Sequence, residues 1–235
     1  MRSVRYHGPE RPSIMRLIAP ILTLLFVASF PARTAGVIDD RGFQDRGSKD
    51  RFAEIFNRGV ELQRTLHSIR AHFTETTVST LLARPLIAHG TIVAATPARV
   101  LMTYTDPERK IVAIDTRSLR VEWPDRREQE KIDIGETQKR IDQYFTHANV
   151  DELRSMFTIV AQPDNAVKNT DHIELLPKRK QIKQGLERLE LWINQDSSLL
   201  TQLRMTFAGG DLKTIALDDI AVNVPISEDL FRVTK

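Results

Sequence analysis

The chain has 235 residues, 41% of them apolar, with no internal repeat, which is enough for one sizeable core. It contains no cysteine, which excludes a disulfide framework, a thiol nucleophile and lipidation at a signal-peptide cysteine. The net charge of +3 belongs to the N-terminus: without residues 1–36, which carry Arg2, Arg5, Arg11, Arg16, Arg33 and Glu10, 34 basic residues fall to 29 and 31 acidic ones to 30, so global charge makes no case for nucleic acid.

Residues 15–35 read MRLIAPILTLLFVASFPARTA. One arginine precedes an uncharged apolar run over residues 17–30, and small residues follow; the run is short for a membrane span and is closed by Pro31 and Arg33. The pattern predicts a cleaved secretory signal over residues 1–36, with Met15 as an alternative start, and a mature protein soluble outside the cytoplasm. A core helix or an uncleaved anchor is the competing reading. Residues 37–49, charged and glycine-containing, read as a flexible lead-in to a domain over residues 50–235.

In KDRFAEIFNRGVELQRTLHSI, Phe52, Ile55, Phe56, Leu62 and Leu66 recur at helical spacing with charges opposite, which predicts one amphipathic helix. The period then changes to two through IRAHFTETTV, LIAHGTIVAA, RVLMTYT, KIVAID and SLRVEW, separated by Pro85, Pro97, Pro107 and Pro124. A proline cannot donate to a central ladder, so each marks a strand end, and five short strands in series predict an antiparallel meander. The stretch GETQKRIDQYFTHANVDELRSMF interrupts it: Ile141, Tyr144, Phe145 and Ala148, then Leu153, Met156 and Phe157, fit one or two short helices. Strands resume in FTIVAQ, HIELLP, RLELWIN, LLTQLRMTF and KTIALDDIAVNV, with a tight-turn signal, AGGD, at residues 208–211.

So many consecutive strands predict a mainly β fold: an incomplete, strongly curved antiparallel barrel with an N-terminal helix and a helical insertion over its concave face. Within RVLMTYT, Val100, Met102 and Tyr104 point one way and Leu101 and Thr103 the other. Periodicity leaves two readings of the inner face open: a lipid-sized cavity, or an ordinary filled core.

The order of Gly90 opening one strand, Pro97 before the next, the alternating strand ending in Tyr104, Pro107, the pair Ile111 and Val112, Asp115, Leu119 and Pro124 resembles the periplasmic lipoprotein carrier family, LolA. FTETTVSTLLARPLIAHG upstream and IELLPK, LELWIN and LFRV downstream are similar to it as well, over about residues 50–233. The resemblance implies a half-barrel whose concave face, with Ile92, Val100, Met102 and Tyr104 on it, holds the acyl chains of a lipoprotein or similar amphiphile. It implies a helical lid carrying Ile141, Tyr144, Phe145 and Ala148, and a soluble periplasmic monomer that shuttles cargo from an inner-membrane transporter to an outer-membrane acceptor. A related-fold sensor or binding module that ferries nothing is the alternative. Where the family often has arginine before the first proline, this sequence has Thr96; Arg99 lies three residues on, on the face opposite Val100 and Met102.

No enzyme motif is present. The six histidines are scattered without HExxH, and there is no GxSxG and no phosphate-cradling glycine loop, so neither catalysis nor a metal or cofactor is expected. Asp218 and Asp219, as strand neighbours, are expected on opposite faces. The basic stretch over residues 177–188 gathers Lys178, Arg179, Lys180 and Lys183; it reads either as a solvated hairpin protecting a sheet edge or as a docking patch for an anionic headgroup or membrane-bound partner.

N-terminal sequencing of the protein from the extracytoplasmic fraction should give a start between about residues 32 and 39. An intact Met1 or Met15 in that fraction would reject the signal.

Overall fold

The computed structural model describes residues 50–96, 99–115, 117–135 and 149–231. The signal segment, the lead-in and the lid positions Ile141, Tyr144, Phe145 and Ala148 lie outside the described residues. Among the described residues no helix is long and apolar enough to cross a membrane.

Helix α1 (Arg51–Thr65) starts at Asp50, whose side chain accepts from the Ala53 amide at 3.2 Å and so satisfies one of the free N–H groups of the first turn. Phe52 and Ile55 are buried and Phe56 packs beside them, as the helical spacing predicts; Leu66 is buried just beyond the helix end, and Leu62 is half-buried.

The strands follow as β1 (Ser68–Val78), β2 (Leu86–Ala95), β3 (Arg99–Asp106), β4 (Lys110–Ile114), β5 (Ser118–Trp123), β6 (Glu128–Asp133), β7 (Phe157–Pro163), β8 (Thr170–Pro177), β9 (Leu186–Asn194), β10 (Leu200–Phe207) and β11 (Leu212–Val222). Helix α2 (Val150–Met156) precedes β7, and the single turn α3 (Lys180–Lys183) joins β8 to β9. All strands form one antiparallel sheet in the order β6-β5-β4-β3-β2-β1-β11-β10-β9-β8-β7. Two meanders are thus joined by one long-range pairing, β1 with β11, and the described sheet does not close between β6 and β7. It is the incomplete, strongly curved barrel that the strand series predicts.

Prolines stand where the ladder can spare a donor: Pro85 precedes β2, Pro107 and Pro124 follow β3 and β5, and Pro163 and Pro177 end β7 and β8. Gly209 and Gly210 take φ of +107° and +85° in the β10–β11 turn, where an L side chain would be strained.

Three local features differ from the sequence reading. Strand β6, EQEKID, escapes it because five of its six residues are polar or charged; as an edge strand it needs little apolar surface, and its charges discourage pairing with another chain. Gly90 sits midway along β2 rather than opening a strand. Asp218 and Asp219 both approach His72 Nδ1, at 3.7 and 3.2 Å, because β1 and β11 slip register between Arg70 and His72 and Asp219 takes a φ of +49°.

Gly90 is fixed by close approach. A Cβ there would stand 2.2 Å from the Thr103 carbonyl oxygen and 2.7 Å from the Phe73 ring. Gly59, inside α1, would meet nothing within 4 Å. Gly90→Ala should therefore cost about 1–3 kcal/mol by overpacking, whereas Gly59→Ala should stabilise by about 0.5–1 kcal/mol through helix propensity. Urea unfolding of the two variants checks the opposite signs.

Candidate functional site

Register places a continuous set of side chains on the concave face. Phe73, Gly90 and Tyr104 lie opposite one another across β1, β2 and β3; Ile92 pairs with Met102 and Met102 with Val112; Ile114 pairs with Leu119. The four positions expected on this face, Ile92, Val100, Met102 and Tyr104, are 1, 1, 1 and 6% exposed. They share one apolar cluster with Leu191, Leu203, Met205 and Ile215 from the second meander and with Phe52, Leu153 and Met156 from the helices. In this conformation the face is covered. Bare glycine backbone at position 90 lets the Phe73 ring lie against β2 and meet Tyr104 edge-on, ring centroids 4.9 Å apart.

Helix α1 is pinned to the sheet through one buried carboxylate. Asp171 on β8 is fully buried and accepts from Arg51 Nε at 2.9 Å and from Arg51 Nη2, from Arg58 Nη2 at 2.9 Å and from Gln195 Nε2 at 3.0 Å. A carboxylate taken fully out of water persists only with such a complement of donors. At the helix start, Asp50 also accepts from Arg154 Nη2 of α2 at 2.5 Å, the first of the causes that hold its carboxyl below the usual range. Asn149 caps α2 reciprocally with Glu152.

A second polar island lies on the first meander's side of the same face. Glu75 is buried; its Oε2 accepts from the Tyr104 hydroxyl and its Oε1 from Lys213 Nζ, both at 2.9 Å. The Lys110 ammonium lies 3.9 Å from the centre of the Tyr104 ring. These positions share the inward parity of Phe73, Val112 and Ile215, so charged residues at inward positions were the available sequence signal for Glu75, Lys110 and Lys213. Asp171 carries the same signal, at the inward parity of Ile173 and Leu175 on β8.

The basic stretch closes the antiparallel β8–β9 hairpin, with a single helical turn in its loop. Lys180 and Lys183 stand on α3 with Arg179 at its N-cap, and all three are exposed; Lys178 donates from Nζ to the Arg154 carbonyl oxygen at 2.6 Å, tying the turn to α2. Arg99, on the outer side, stacks over Phe231 at 5.0 Å. His72, Asp218 and Asp219 bring three ligand atoms within 4.8 Å of one another, the one such grouping among the described residues, and all three side chains are exposed.

A family model described as outer membrane lipoprotein carrier protein LolA matches residues 64–234. No curated protein sequence matches the chain. Among solved structures, the chain is similar to Mycobacterium tuberculosis lipoprotein LppX, at 15% identity over 77% of this chain and 99% of that one, with a TM-score of 0.50. It is similar to a conserved protein from Thermus thermophilus, at 8% identity over 77% and 93% of the two chains, TM-score 0.50. The Pseudomonas aeruginosa MucA/MucB complex matches at 14% identity over 77% of this chain and 60% of that one, TM-score 0.45. At these identities LppX and the Thermus thermophilus protein share a fold with this chain.

Burial, then the charge and hydrogen bond of Glu75, push the Tyr104 phenol far above its ordinary value of 10.0. The unfolded chain releases this proton above about pH 10 while the folded chain keeps it, so the stability it contributes is intact below pH 10 and is lost as pH rises further. Urea midpoints between about pH 8 and about pH 11 should fall less steeply in Tyr104→Phe than in wild type, a difference that separates the phenol from the nearby lysines. Equal slopes would contradict a buried phenol.

Proposed function

The chain belongs to the outer membrane lipoprotein carrier family, LolA, and from that premise we propose that its concave face receives the acyl chains of a lipoprotein or similar amphiphile and carries them across the periplasm. The observation that supports this is the open sheet: among the described residues eleven strands present one continuous apolar face, left unclosed between β6 and β7 and overlaid by helices rather than by a second sheet. A closed barrel or a sandwich shuts its core with backbone ladders, which a ligand cannot displace. Helices held largely by apolar side chains can be displaced, because acyl chains offer contacts of the same kind.

The reaction this face performs is binding, and its chemistry is solvation. Each methylene taken from water gains about 0.8 kcal/mol, so a bound chain is held by area rather than by hydrogen bonds, and the face accepts chains without reading their sequence. Cargo is then drawn from an inner-membrane transporter and released to an outer-membrane acceptor, and the secretory signal at residues 1–36 delivers the carrier to that compartment. Release to acceptor vesicles, as opposed to simple retention, separates this carrier from a sensor of the same fold.

The test is binding of a triacylated peptide, against its unacylated twin, to the purified mature chain. One acylated peptide per chain and no binding of the twin are expected, with affinity at least about tenfold weaker, or about 1.4 kcal/mol, in Met102→Phe, whose ring enlarges the inner face. A Met102→Phe protein that binds as wild type does while losing roughly 1–3 kcal/mol of stability would mark a permanently filled barrel.

A further inference from the structure

The island formed by Glu75, Tyr104, Lys110 and Lys213 is unbalanced. Both carboxylate oxygens of Glu75 are taken, by the Tyr104 hydroxyl and by Lys213 Nζ. The Lys213 and Glu75 side chains are 12% and 8% exposed, so that ion pair is buried and complete. Lys110 is then the surplus cation. Its ammonium rests on the Tyr104 ring, it is half-buried, and no hydrogen-bond acceptor among the described residues stands against it. Glu108, the other carboxylate nearby, is engaged by Arg126 Nη2 at 2.5 Å. Two ammonium groups and one carboxylate leave a charge of +1 in a region largely screened from water, where an uncompensated charge is costly.

Its position gives that charge a use. Lys110, Val112 and Ile114 are successive inward residues of β4, so the ammonium stands at the head of an apolar track. The strand end that carries it, at the β3–β4 turn, is the same end of the sheet as the β1–β2 link, whose Leu81 is 82% exposed and whose neighbours Leu82, Leu86 and Ile87 are also exposed. An acyl chain lying along the inner face with its polar end at Lys110 would place methylenes on Val112 and Ile114 and its headgroup where the free cation is.

We propose that Lys110, on the Tyr104 ring and beside the Glu75–Lys213 pair, is a headgroup site for an anionic acyl amphiphile, carboxylate or phosphodiester, whose chain occupies the concave face. The site rests on the carrier reading and adds selectivity to it. Lys213 neutralises Glu75, which would otherwise repel the incoming anion, and the Tyr104 hydroxyl occupies the second carboxylate oxygen. Burial, the first of the causes acting on Lys110, holds its ammonium below the usual lysine range, and an anion at that site would reverse the effect.

The experiment measures affinity of the mature protein for myristate, myristoyl-lysophosphatidylglycerol and uncharged monomyristoylglycerol at low salt, with inorganic phosphate alone as a fourth probe. Both anionic amphiphiles should bind about tenfold or more tightly than the monoglyceride; if one of the two does, the headgroup is assigned to that class. Lys110→Met should bring the anions down to the monoglyceride and leave the monoglyceride unchanged, while Lys110→Arg, which keeps the charge, should preserve the preference. Monoglyceride binding in Lys110→Met also reports that the variant is folded. Equal binding of charged and neutral amphiphiles by wild type, or a preference that survives Lys110→Met, would overturn the headgroup site and leave the carrier standing. Phosphate binding as tightly as the amphiphiles and lost in Lys110→Met would assign a free-anion site instead. If no amphiphile binds, the carrier reading falls and this one with it.

Discussion

Everything in this molecule hangs on the pairing of β1 with β11. It runs antiparallel from Ile69 opposite Val222 to Val78 opposite Leu212, and it joins strands from opposite ends of the domain. Such a contact closes a long loop, and the surface it buries must offset the entropy of closure. Side chains reinforce the seam towards both ends. At one end Asn223, held at a φ of +55°, accepts from the His67 amide at 2.8 Å and donates to the Thr65 carbonyl oxygen at 2.9 Å, so one side chain links the end of α1 to the seam. Towards the other, the Lys213–Glu75 pair crosses from β11 to β1 on the inner face. With no cysteine in the chain, ladder, core and these polar stitches hold the domain together.

The seam also explains why the two faces of the sheet differ so much in chemistry. Inside, the joined meanders offer one apolar surface with two buried carboxylates, Asp171 and Glu75, each saturated by donors from elsewhere in the chain. Outside, even an aromatic residue is treated as a surface residue to be shielded. Trp192 on β9 lies under Arg204 at 5.1 Å and beside His172 at 4.6 Å, and its indole N–H donates to Asp164 at 2.8 Å. Glu190 contacts His172 and Arg204 on the same side. That polar laminate buries residues 189–193 of β9 on both faces, so LELWI reads as a continuous apolar run with one acid rather than as a clean alternation.

How much of this was legible follows from what each element needs. Strands such as β3 and β4, with one wet and one dry face, declare themselves by alternation and by prolines at their ends, and α1 by its Phe52, Ile55 and Phe56 stripe. The order in which the two meanders join is a long-range fact that no local period encodes. β6 was hidden because an edge strand is selected for charge, and the shared side of Asp218 and Asp219 because a bulge breaks the rule of alternation from which opposite faces follow. The concave positions Ile92, Val100, Met102 and Tyr104 were legible from parity alone. Glu75, Lys110 and Lys213 obey the same parity with the opposite polarity; a charge at an inward position is a signal only if one asks what would neutralise it.

That polarity bears on how such a face could open. An amphiphile entering the concave face, as proposed, must displace part of the cover, and the cover is held by two different kinds of interaction. Leu153 and Met156 attach α2 through apolar contact, which an acyl chain replaces in kind, and its polar ties, Arg154 to Asp50 and the Arg154 carbonyl to Lys178, are exposed and exchange for water at little cost. Arg51 and Arg58 attach α1 to Asp171 through hydrogen bonds that hydrocarbon cannot make; lifting α1 would strand a fully buried carboxylate, at a cost on the order of 3–5 kcal/mol. Because cargo reaches the carrier from another apolar environment rather than from water, the net gain on transfer is far smaller than the gross burial of a chain, and a penalty of that size decides the route. The rearrangement that admits a chain therefore belongs on the α2 side of the cover, with α1 remaining in place as the wall against which the chain packs.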